Sequence, residues 1–410
     1  MRNFKFKLDI QFFAASQLTS LFTSIANAIR SKVGDVGSIS ASMFPDAISH
    51  LSYQMSDCSY IKGTLTEFND SANIISNIRD RAFQSKTIGT AIFPVCERIG
   101  NYAFNYCSSL SSISFPACTS IGTQAFYTCK ITTASFPECL QINGWAFKSC
   151  ESLTTISFPK CSVIGNAAFN SCFRLQSASF SLVSIIESTT FRCCSSMTSV
   201  SFPACTGIRQ EAFYGCLSLP SVSFPNCTLI GSSAFYDCIA LTTITFQKCT
   251  YISQYAFRYC SSLLSIDFPL CSTIQNYAFA NCYALTSVSF PSCSRIYSYA
   301  FLNCSNLASA YFPKASVVHT GAFKGCSTIQ KMSFPSCRNF YASAFDGCTN
   351  LSVVTIVSSV IPSLSNSNAF SGTLITSSTG SIGVHPSILS SIKTSTNWVY
   401  FSNRIFVSIV

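Results

Sequence analysis

The apolar positions of this chain recur with a fixed period. The dipeptide Ala-Phe returns with its Phe at 83, 104, 126, 147, 169, 191, 213, 235, 257, 279, 301, 323 and 345, in steps of 22 residues apart from two of 21. Only Thr190 breaks the Ala position, and a degenerate copy follows at Ala369-Phe370. One unit reads Leu285, Val288, Phe290, Pro291, Cys293, Ile296, Ala300, Phe301, Cys304, and the next opens at Leu307. Val288 and Phe290 alternate with polar neighbours, the pattern of a half-buried strand. Pro291 ends it, since proline cannot donate to a ladder. From Ile296 to Cys304 the apolar residues come about four apart, which predicts a helical turn or an irregular arc facing inward. Each unit is then one strand, one return and one coil of a superhelix. A lone unit cannot fold, because its few inward side chains do not repay the entropy of ordering its backbone. Neighbours must cover its two open faces, which makes the ends critical.

The frame S-F-P-x-C-x-x-I-G-x-x-A-F-x-x-C-x-x-L, carried from about Ile74 to Val354, resembles the BspA-like leucine-rich-repeat family. The resemblance implies an α/β repeat solenoid, a right-handed superhelix with short parallel strands, used by surface and adhesive proteins for binding. It brings no catalytic residues. The Gly after the Ile is replaced in later units by Ser253, Gln275, Tyr297, His319 and Tyr341. The unit from Phe180 to Cys194 lacks its Pro and first Cys, so a local kink is expected there.

The ends read differently. Leu18, Leu21, Phe22, Ile25 and Ile29 share one face of an amphipathic helix, with Arg30 and Lys32 at its C-terminal end and Gly34 to stop it. Phe44 to Ile48 opens a second short helix. Past Ile382 the repeat is dropped, and Pro386, Leu389, Ile392, Trp398, Tyr400, Ile405 and Phe406 resemble a terminal cap. The expected organisation is a leader-like segment (1–16), a helical N-terminal module (17–57), a cap with a first partial repeat (58–92), the solenoid (93–356) and a C-terminal cap (357–410).

Lys7 to Ala14 is similar to the leader on virion proteins of phages of Gram-positive bacteria, and Ile25 to Lys32 with Phe44-Pro45 to a segment of prophage proteins of the same hosts. Lys7, Asp9 and Gln11 interrupt any apolar run before Phe12-Phe13-Ala14-Ala15, so an export signal is not expected there. These resemblances imply a phage or prophage virion protein of the tail or baseplate, assembled in the bacterial cytoplasm. It would recognise a bacterial cell-surface glycan or protein, and could meet other virion proteins through its N-terminal module. The alternative is a bacterial cell-surface or secreted adhesin for host or microbial proteins. A third reading is a structural spacer without a ligand, which the even Ser/Thr surface supports.

Hydrophobic residues make up 48% of the chain and charged residues 10%, which excludes a disordered polyelectrolyte. The net charge of +10 comes from Lys and Arg scattered singly, so no nucleic-acid arm is expected, while anionic wall polymers would be attracted. No apolar run is long enough for membrane insertion.

Of the 24 cysteines, ten occupy the repeat position after Phe-Pro and twelve the position after Ala-Phe, with Cys58 and Cys193 outside both columns. Val183 and Ala315 replace two of the first column with no matching loss in the second. The position therefore asks for volume, and buried free thiols are expected rather than disulfides. With ladder cysteines about 11 residues apart and three histidines (His50, His319, His385), no metal or other cofactor is expected. The acidic residues never share a position in neighbouring units, and no phosphate loop or nucleophile elbow appears, so no enzyme is expected. The candidate site is aromatic. Tyr102, Trp145, Tyr255, Tyr277 and Tyr299 precede Ala-Phe, and the last three, in consecutive units, should stack about 5 Å apart. Tyr236 and Tyr259 stand nearby, as do Tyr106, Tyr127 and Tyr214. Tyrosine suits recognition at low entropic cost, or the rings merely cover the shoulder of the repeat.

Overall fold

The computed structural model describes residues 67–70, 75–377 and 379–407. The expected leader-like segment and helical module lie outside them. Each unit contributes a three-residue strand such as Ser287–Ser289 and a two-residue strand such as Arg295–Ile296. Every pairing is parallel and joins equivalent residues of neighbouring units, as in Ser287↔Ser309 and Arg295↔Val317. The two-residue strands thus make one ladder in two long sheets, while the three-residue strands make a second in six shorter sheets along the solenoid. In alternate stretches of the ladder the Phe before Pro still donates to the next unit, as Phe290 N–H does to Tyr311 O at 3.0 Å, and the chain then turns where proline has no N–H to give.

The second half of the unit is an arc with its own ladder, and the reason it is not helical lies in its hydrogen bonds. The N–H groups of Tyr255, Phe257 and Tyr259 donate to the carbonyls of Asn276, Ala278 and Ala280 in the next unit. The intervening N–H groups of Ala256, Arg258 and Cys260 close local turns onto Ser253, Tyr255 and Phe257. Sending alternate donors across the coil requires two left-handed residues, Tyr255 (φ +60°) and Tyr259 (φ +65°), and the same pair recurs in each unit. Among the described residues the one α-helix, α1, is Leu389–Thr394, after the repeats.

The core is a double column of phenylalanine. Ala-Phe rings stack on their own kind (Phe257–Phe279, 5.2 Å) and meet the Phe-Pro column edge-on (Phe279–Phe290, 5.9 Å). Such offset and edge contacts are the preferred aromatic geometries. Outside the core, hydroxyls join the units: Thr228, Thr250, Ser272 and Ser294 each donate to the carbonyl of the equivalent residue one unit earlier, at 3.1–3.3 Å. Gly231 marks a close approach, where a Cβ would come within 2.5 Å of the Arg209 backbone. The two-residue ladder is interrupted once, between Val163–Ile164 and Ile185–Ile186, at the unit whose frame is incomplete.

At the C-terminal end, Ser381–Val384 and Ile405–Val407 extend the three-residue ladder. Trp398 lies edge-on to Phe340 and against Phe370, closing the Phe column, and its indole N–H donates to Pro362 O at 2.7 Å.

Candidate binding site

The arc presents three outward positions: the residue before Ala-Phe, the residue after it, and the residue before the second Cys. In the units from Arg192 to Lys324 these positions carry a continuous aromatic stripe. Tyr255 stacks on Tyr277 (5.3 Å, 18°) and Tyr277 on Tyr299 (4.9 Å, 16°). Tyr299 ends its row by lying over Gly321, where a Cβ would collide with its ring. In the adjoining position Tyr214 stacks on Tyr236 (4.8 Å, 4°), and Tyr236 meets Tyr259 edge-on at 5.4 Å.

Arg258 joins the two rows. Its guanidinium carbon lies 4.8 Å from the ring of Tyr259, 5.3 Å from Tyr277, 5.5 Å from Tyr255 and 6.0 Å from Tyr236. One Nη donates to Tyr259 Oη at 3.1 Å, and its buried Nε has no hydrogen-bond partner. Arg192 stands over Tyr214 at 4.6 Å and donates to Glu211 at 2.9 Å. Lys324 pairs with Asp346 at 2.9 Å. Burial raises the phenols of Tyr236 and Tyr277 above the usual tyrosine value, so both are neutral hydroxyls at physiological pH.

Five of the seven site candidates from the sequence, Tyr236, Tyr255, Tyr259, Tyr277 and Tyr299, thus form one surface. The other two lie apart. Tyr102 sits nearer the N-terminus with Arg81 over its ring at 5.0 Å. Trp145, 39% exposed, has Gln124 and Ala167 as column neighbours and so stacks on no ring there. Sequence reasoning missed Arg258, although Arg192, Arg258 and Lys324 hold the same repeat position three units apart. A second row, Tyr297–His319–Tyr341, stacks at 4.7 and 4.9 Å in the column where earlier units carry Gly. The outer face of the three-residue ladder is lined by exposed hydroxyls such as Ser177, Ser179, Ser199 and Ser201.

Both cysteine columns prove to be donors as well as filler. Each thiol after Phe-Pro donates to the carbonyl two residues on, as Cys293 does to Arg295 at 3.3 Å. Each thiol after Ala-Phe donates to the Phe carbonyl of the preceding unit, as Cys260 does to Phe235 at 3.1 Å. The described cysteines are free. Among the described residues no group of three His, Cys, Asp or Glu could hold a metal ion, and no helix is long and apolar enough to cross a membrane.

The family described as BspA type leucine rich repeat region matches this chain in six copies, over residues 76–191, 184–308 and 272–386. A leucine-rich repeat protein from Bacteroides ovatus is similar in structure, with 28% identity and a TM-score of 0.59 over 68% of this chain and 82% of that one. A leucine rich cell surface protein from Faecalibacterium prausnitzii is 24% identical, with a TM-score of 0.44 over 80% and 86% of the two chains. No curated protein matches the sequence.

Proposed function

The chain belongs to the BspA-type leucine-rich-repeat family, and from that premise we propose that it is a non-catalytic adhesin, displayed at or released from a bacterial surface, that holds its ligand on the aromatic stripe from Arg192 to Lys324. One observation carries this reading. The coil does not need tyrosine where the stripe has it. At the left-handed position before Ala-Phe, other units place Gln124, Ala167, Thr189, Ser233 and Ser343. A left-handed conformation favours Gly, Asn or Asp over a bulky ring. Three consecutive tyrosines there serve a surface rather than the stack, and tyrosine is a favoured anchor of recognition surfaces. The partner is a surface glycan or protein. The isolated carboxylates give no paired acid and base, which supports a binding role without chemistry.

A second reading, a phage or prophage virion protein of the tail or baseplate, is favoured by Lys7 to Ala14 and Ile25 to Lys32 alone. Labelled full-length protein presented to host matrix proteins, intact Gram-positive cells and purified wall glycan tests both. Saturable binding to any of them, lost in the Tyr255/Tyr277/Tyr299→Ser triple variant, is the expected result. Recovery of the chain in purified phage particles, rather than on bacterial envelopes, moves it to the virion. A folded protein that binds none of the three surfaces contradicts both readings and leaves a spacer.

A further inference from the structure

We infer that the centre of the stripe is a subsite for the acidic group of an anionic glycan, with Arg258 as its cation; this deepens the proposed binding function and rests on it. Arg192, Arg258 and Lys324 hold one repeat position at three-unit intervals, but they are not equivalent. Arg192 has Glu211 and Lys324 has Asp346. Among the described residues Arg258 has no carboxylate partner, and its one acceptor is Tyr259 Oη. Its Nε–H is buried and unused.

A half-buried guanidinium with an idle donor is unfavourable unless something compensates it. The four surrounding rings do so in part through cation–π attraction. A carboxylate or phosphate oxygen completes the arrangement, because the guanidinium fork matches either anion. The neighbouring tyrosines decide what the anion is attached to. Stacked in their rows, the rings turn much of their faces to one another and offer edges and hydroxyls outward. Ring edges are electropositive and accept electron-rich oxygens, while the phenols of Tyr236 and Tyr277 are neutral donors. A single unpaired cation among several hydroxyls suits a polyol chain that meets the cation with an acid and the phenols with its hydroxyls. An acidic peptide would instead call for a row of free cations, and here the flanking ones are already paired. The net charge of +10 draws such a polyanion toward the surface.

The test measures binding of the full chain to four soluble polymers. Polygalacturonate carries carboxylates on sugars, poly(glycerol phosphate) carries phosphodiesters on a polyol, dextran is neutral and polyglutamate is an acidic peptide. Arg258→Gln is compared with Lys248→Gln, which removes an exposed cation bonded to Asn226 outside the stripe. Arg258→Gln should weaken binding to one or both acidic glycans by about tenfold or more, while Lys248→Gln changes it less than about twofold. The stronger of the two glycan arms identifies carboxylate or phosphate. Arg258→Lys, which keeps the charge without the fork, should fall between. Absence of binding to either acidic glycan overturns the inference. So does equal loss in the two glutamine variants, or polyglutamate binding as tightly as the glycans. A fall in melting temperature in Arg258→Gln large enough to unfold the arc would also overturn it, by making Arg258 a structural residue. If cell binding depends on Tyr255, Tyr277 and Tyr299 yet ignores Arg258, only the anion subsite falls. If it ignores the tyrosines, the stripe itself is refuted.

Discussion

At the scale of the residue, the sequence shows where cysteine stands more readily than why. Val183 and Ala315 are as buried as the thiols they replace, so the column after Phe-Pro does accept plain volume. The column after Ala-Phe has no such substitute, and there each thiol caps a Phe carbonyl that already accepts from a backbone N–H of its own unit, as Phe235 O does from Cys238. Burial pushes Cys107, Cys150 and Cys348 up to about 12, which removes the thiolate that reagents and oxidants attack. Cys193, outside both columns, is half-exposed. Alkylation of the native protein at neutral pH, read by peptide mass spectrometry, should therefore label Cys193 and leave the other described cysteines unmodified until denaturant is added. His319 gives a pH dependence. Burial between Tyr297 and Tyr341 and then the charge of Arg295 lower its pKa below 6.5. The unfolded chain thus takes up its proton first as pH falls, so stability is lost from about pH 6.5 downward until the folded ring also protonates. The melting temperature should drop through that window, and His319→Gln should flatten the drop.

At the scale of the element, the strand, its proline stop and the 22-residue step were legible because burial repeats with the backbone. The arc was legible only as a choice between helix and irregular turn. Its apolar spacing fits both, and the deciding fact, that alternate N–H groups bond to the next unit, is a relation between units. A faint signal exists in Gly215, Asp237, Asn281, Asn303, Gly325 and Gly347, residue types that tolerate positive φ, all just before the second Cys. The interruption beside Phe180 was legible, since a missing Pro and Cys mark the unit directly. The cap was legible as a change of pattern, while the role of Trp398 in closing the Phe column was not. Trp398→Ala should cost about 3–5 kcal/mol, as large aromatic truncations in cores do. In a nearest-neighbour stack that loss stays local. Hydrogen exchange should rise around residues 340–401 and remain unchanged near Ala103 to Phe126.

At the scale of the whole molecule, the solenoid carries two very different long surfaces. One is the outer face of the three-residue strands, lined mainly by Ser and Thr hydroxyls and interrupted by single residues such as Asp267, Tyr311 and Lys331. The other is the arc, whose outward positions vary and gather four of the tyrosine candidates around Arg258, with Tyr299 stacked beyond Tyr277. Of the candidate site, the rows were legible in the spacing of Tyr255, Tyr277 and Tyr299. The cage was not, because it forms between residues of different columns in different units. The claim that the arc, rather than the strand face, meets the ligand is tested most directly by comparing two triple variants on the surface that binds the wild type best. Tyr255/Tyr277/Tyr299→Ser removes the stripe, and Thr243/Ser265/Ser287→Lys disturbs the strand face of the same units. The account predicts about tenfold or greater loss of affinity in the first, since buried aromatic anchors each cost more than about 1 kcal/mol on truncation, and less than about threefold change in the second. Loss confined to the strand-face variant would contradict it.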